Sequence, residues 1–96
     1  MIRFAALIAL CATPLAAQED NPLCTVSGEI VQAAVEARAA GTQDAEAARQ
    51  ISKTLTGDKE AYQPAVGPLV SWVYTLPEEQ LAEDVAGVYL EACLAQ

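Results

Sequence analysis

Residues 62–76 read YQPAVGPLVSWVYTL, and the state of this stretch decides the fold. Val, Trp, Tyr and Thr favour a strand. The spacing of Tyr62, Val66, Leu69, Val73 and Leu76 is that of one helical face. A lone strand has nothing to pair with, and no other part of the chain reads as one. The stretch is therefore expected to be the central helix, starting late near Pro64 or curving, and ending near Leu76. At about 100° per residue, Leu69 and Val73 centre the apolar stripe. Pro64, Pro68, Ser71 and Thr75 fall opposite it, which puts both prolines on the solvent side, where a helix bends most readily. Val70, Trp72 and Tyr74 widen the arc beyond one contact face. The plain reading is a helix with neighbours on two sides. The sharper reading is an interaction surface of Val70, Trp72 and Tyr74, because aromatic residues are enriched where partners dock.

Outward from this stretch, the flanks read as helices too. Towards the N-terminus, a first helix is expected over 22–40. Asn21 can cap it, Pro22 suits its first turn and Gly41 can end it. Leu23, Val26, Ile30, Ala34 and Ala37 share one face, and Gly28 with the alanines lets a neighbour come close. Thr42 can cap a second helix over 43–55, with Ala48, Ile51 and Leu55 as its apolar residues, Ala47 beside them and Thr56-Gly57-Asp58 as the stop. On the other side, Thr75 and Glu78 have the spacing of a capping box and predict a last helix over 76–94. Its core face is read as Leu81, Val85, Val88 and Ala92, with Tyr89 at the edge. Leu90 and Leu94 beside Gly87 form a minor outer patch. Glu78, Glu79, Glu83 and Asp84 suit the positive end of that helix.

Residues 1–17, MIRFAALIALCATPLAA, have the Arg3 n-region, apolar centre and small-residue end of a secretory signal peptide. The apolar run is far shorter than the roughly 20 residues that span a bilayer. Cleavage after Ala17 removes Cys11 and leaves a helical domain over 18–96 with two cysteines, Cys24 and Cys93. In an oxidising compartment these two are expected to form one structural disulfide that ties the first helix to the last. Their wide spacing is unlike a CxxC redox pair. The expected fold class is all-α: a bundle of about four helices closed by one disulfide. The expected location is the periplasm of a bacterium or the outside, with no stable membrane anchor after cleavage.

The sequence holds 13 acidic and 5 basic residues and no His. Losing Arg3 with the leader takes the formal net charge from −8 to −9. Such a domain repels nucleic acid and anionic membrane surfaces. Without His, and with both cysteines paired, the usual general base, the usual metal ligand and the nucleophilic Cys/His pair are all missing. No EF-hand, Walker or GxGxxG pattern is present. Glu29 with Glu36, and Glu79 with Glu83, can share a helix face, but solvated acids have that spacing as well. No cofactor, no metal site and no catalytic residue is expected.

The run LCTVSGEIVQAAVEAR, the core PLVSWVYTLPEEQL and the ending YLEACLAQ resemble a family of small secreted alphaproteobacterial proteins. These have one Cys near each end of a helical mature chain. That family has no assigned activity, so the resemblance implies a leader, helices and a disulfide, and no function. At the level of architecture alone, the chain is also similar to periplasmic acid-stress chaperones.

Three functions follow as expectations. The first is a protein-interaction module that binds itself or another protein and catalyses nothing. The alternative is an acid-stress chaperone, since carboxylates protonate near pH 4 and would reverse the net charge. An enzyme or small-ligand carrier would need a cavity of about 300 Å³, here one lined by Tyr62, Trp72 and Tyr89.

Overall fold

The structure, a computed structural model, describes residues 21–96. The leader read at 1–17 lies outside the described residues. Helix α1 spans Pro22–Ala39, α2 Asp44–Thr54, α3 Val66–Thr75 and α4 Val85–Leu94. A 3-10 segment, Gly57–Ala65, leads into α3, and a second, Glu78–Ala82, separates α3 from α4. Among the described residues there is no strand, so the all-α expectation holds.

The end of α1 follows from its sequence. Asn21 accepts a hydrogen bond from the Cys24 amide at 3.3 Å, and Pro22 opens the first turn where no donor is required. At the other end Gly41 takes φ +87°, a left-handed value that suits glycine. The Thr42 amide then reaches the Ala37 carbonyl at 2.9 Å and the Gly41 amide the Arg38 carbonyl at 3.0 Å, a Schellman closure.

Helix α2 is not capped by Thr42. Gln43 occupies the cap position without a side-chain bond, and the Thr42 carbonyl instead accepts from the Tyr74 hydroxyl at 2.6 Å. The C-terminal end of α2 is covered by Gln63, whose amide donates to the carbonyls of Ser52 and Leu55 at 3.1 and 3.0 Å. Arg38 does the same for α3, donating to Val73 and Leu76 carbonyls at 2.7 Å each. A side chain from outside the helix thus covers open carbonyls at the end of each of these short helices.

The late start of α3 has a simple cause. Pro64 sits inside the 3-10 segment, and Pro68 is the third residue of α3, where a missing N–H costs no intrahelical bond. Val66, Val70 and Val73 of α3 are buried against Ile30, Val31 and Ala34 of α1 and against Ala47, Ile51 and Leu55 from α2 and its end. This is the core. Helix α1 lies against all three other helices. Leu23, placed on its core face by periodicity, is exposed.

The last third departs most from expectation. Thr75 and Glu78 form no capping box: the Thr75 hydroxyl donates to the Trp72 carbonyl, and Pro77 is extended. The helix begins only at Val85, capped by Asp84, whose carboxylate accepts from the Gly87 amide at 3.0 Å. Its inward face is also rotated. Val88 is exposed, whereas Leu90 turns inward, 3.8 Å from where a Cβ on Gly28 would stand. Cys93 forces this phase by joining Cys24, with 5.7 Å between Cα atoms and 69 positions between them in sequence. That separation is ordinary for a disulfide.

Candidate interaction groove

Val70 cannot belong to an interaction surface: it is 2% exposed, at the centre of the core. It lies one turn before Val73, on the side of α3 that meets α1 and α2, so what looked like extra width is the second contact face. Tyr74 is half-buried and engaged. Its hydroxyl is bonded to Thr42, and its ring has the Arg38 guanidinium 6.0 Å from its centroid. Burial, reinforced by the negative charge of Asp44 and opposed by Arg38, raises the Tyr74 pKa above its ordinary value. These features make Tyr74 a clamp between α3 and the turn after α1. Trp72 is the member of the predicted trio that faces outward, 41% exposed.

Trp72 is also not alone. Helices α3 and α4 both pack on α1 but share few contacts with each other. Between them runs an open cleft of about 240 Å³. Trp72 and Leu76 line one side; Val85, Val88, Tyr89 and Ala92 line the other; Gln80 and Glu83 sit at the rim. The Trp72 and Tyr89 rings meet across it at 6.0 Å with a 45° tilt, an arrangement that contributes about 1 kcal/mol beyond area burial. Val88, on the opposite wall, is 61% exposed. Tyr62 is not part of this cleft and packs against the core.

Tyr89 is the cavity residue that the sequence places beside Trp72, whereas Val88, Val85 and Leu76 are site residues that periodicity assigns to the core. A signal for them existed. With Cys93 fixed inward, positions three, four and seven before it are Leu90, Tyr89 and Ala86, which leaves Val88 and Ala92 outward.

The groove's surroundings are predominantly acidic. Beyond Lys59 the chain has no Lys or Arg. Glu78, Glu79, Glu83, Asp84 and Glu91 all lie on the two segments that form its far wall and rim, and all are exposed. Arg38, bonded to the Val73 and Leu76 carbonyls, is the cation at the end of α3; it keeps its charge and is outnumbered by these acids.

The other ionisable groups have structural roles. Arg49 and Gln50 donate to Glu46, which holds its carboxyl below the usual value, hydrogen bonding from Arg49 first. Lys59 pairs with Glu29 at 3.0 Å on the surface. Among the described residues, no cluster of three or more His, Cys, Asp or Glu side chains could hold a metal ion. No described helix is long and apolar enough to cross a membrane. No known protein family, curated protein or solved structure matches this chain.

Proposed function

We propose that this protein is an exported docking module that binds another protein through the Trp72–Val88 groove and has no catalytic activity of its own. The observation that carries the reading is the exposure of two large apolar side chains, Trp72 and Val88, on facing walls of one cleft. Isolated surface apolar residues are ordinary, but a contiguous patch with an aromatic at its centre is the usual signature of a binding site. A second copy is a poor occupant, since it would bring its own acidic rim against this one. The disulfide fits an oxidising compartment outside the cytoplasm, and 1–17 is the export signal in this reading.

A photo-activated cross-linking residue at Val88, in the cells that make the protein, tests the reading against the same residue at exposed Gln50. A discrete adduct with a second kind of polypeptide is expected at 88 and not at 50. No adduct at 88 beyond that at 50 sinks the reading. An adduct of two copies replaces it with self-association.

A further inference from the structure

We infer that the groove receives a cationic segment with an apolar anchor: a stretch of polypeptide carrying Lys or Arg beside a Leu-sized or aromatic side chain. This rests on the docking reading and adds the chemistry of the partner. Three features of the groove converge on it.

First, its interior is apolar. Trp72, Leu76, Val85 and Val88 offer carbon surface to an inserted side chain, and a large side chain entering a half-formed cleft gains most from desolvation. Second, its rim is acidic. Glu83 stands at the edge, with Glu79 and Asp84 on the same segment and Glu91 further along α4. No basic residue follows Lys59 in sequence, and the one cation held against this end of α3, Arg38 on the Val73 and Leu76 carbonyls, is outnumbered by these carboxylates. A cationic partner is steered in by this field, and an anionic or acidic one is repelled. Third, the Trp72 and Tyr89 rings at the groove attract a guanidinium or ammonium placed over a free face. A purely apolar ligand uses only the first feature. A polybasic segment without an anchor uses only the others.

The chain's single Trp is at the site, so its intrinsic fluorescence reports occupancy directly. The disulfide-bonded protein is titrated with three synthetic peptides: an amphipathic Leu/Lys peptide, its Leu/Glu counterpart and a Ser/Lys peptide without large apolar residues. The Leu/Lys peptide is expected to shift Trp72 emission to the blue and to bind at least about tenfold more tightly than either of the others. Its affinity should fall as salt rises from ~0.01 M to ~0.15 M, where the screening length shortens from about 30 to about 8 Å. Glu83→Lys should weaken that binding about tenfold. Glu60→Lys, which changes net charge equally on an exposed residue away from the groove, should weaken it far less.

Equal binding of the Leu/Glu peptide, or equal effects of the two Lys variants, overturns the cationic assignment and leaves the docking groove standing. Equal binding of the Ser/Lys peptide overturns the apolar anchor. Silence with all three overturns the inference, while the cross-link at Val88 judges the docking reading separately.

Discussion

Helices α1–α3 and the segment from Glu78 onward are built on different principles. The first region interdigitates: Ile30, Val31, Ala34, Ala47, Val66, Val70 and Val73 are all buried in one cluster. The second contributes no fully buried side chain, neither from its 3-10 turn nor from α4. It leans on α1 through Leu90 over Gly28 and through partly buried Val85, Ala86 and Tyr89, and the Cys24–Cys93 bond holds it there. A helix that need not bury its whole apolar surface to stay in place can leave some of it open. In this chain a covalent tie is added to the contact between α4 and α1, and the apolar surface that α4 leaves open is the wall of the groove.

The comparison can be broken most severely at the tie. Replacing both cysteines with Ser should cost about 4 kcal/mol in the chain-entropy picture. The loss would appear as a lower urea midpoint, and amide exchange should show α4 losing protection before α1–α3. If α4 stays as protected as α3, packing holds it and the contrast is wrong. Within the first region, Ile30→Ala should cost about 3 kcal/mol through its cavity, while the equivalent cut at exposed Val88 should be near neutral for stability. Arg38→Met should cost about 2 kcal/mol, because two carbonyls at the end of α3 lose a charged donor.

Smaller still, Asp84→Ala should cost about 1 kcal/mol as α4 loses its cap. Gly87 sharpens this effect. A Cβ there would run into the Asp84 carboxylate, so Gly87→Ala should displace the cap and be strongly non-additive with Asp84→Ala in a double-mutant cycle. The smallest effect is at Tyr74. A phenol with a raised folded pKa contributes stability that is complete below its unfolded value of about 10 and is lost as pH rises through the folded one. The stability gap between wild type and Tyr74→Phe, measured by denaturation on either side of that window, should therefore shrink in alkali.

Much of the first region can be read in the chain itself. Asn21-Pro22 and Gly41 mark both ends of α1, and the Ile51 and Leu55 pattern finds the inward face of α2. Cys24 and Cys93, far apart in sequence and unlike a redox pair, point to the disulfide. What periodicity could not supply were features decided at a distance. The wide arc on α3 is compatible both with neighbours on two sides and with an interaction surface, and periodicity does not choose between them; the buried Val70 fits the former, the exposed Trp72 the latter. Thr75 to Glu78 has the spacing of a capping box, but Pro77 holds the backbone extended and defers the helix to Asp84. Trp72 was singled out from sequence, yet its partners in the cleft depend on how α4 is turned, and that is set by Cys93 rather than by hydrophobic spacing.

Because Cys24 is in the first turn of α1 and Cys93 in the last turn of α4, the disulfide makes the described chain a ring in connectivity. A ring has no privileged opening. A chain rearranged to begin at Gly57 and end at Thr56, with a short linker joining Gln96 to Asn21, would keep every helix and the groove. It would move the cut to an exposed turn outside the core. The order in which these helices are synthesised is in that sense separable from the shape they reach.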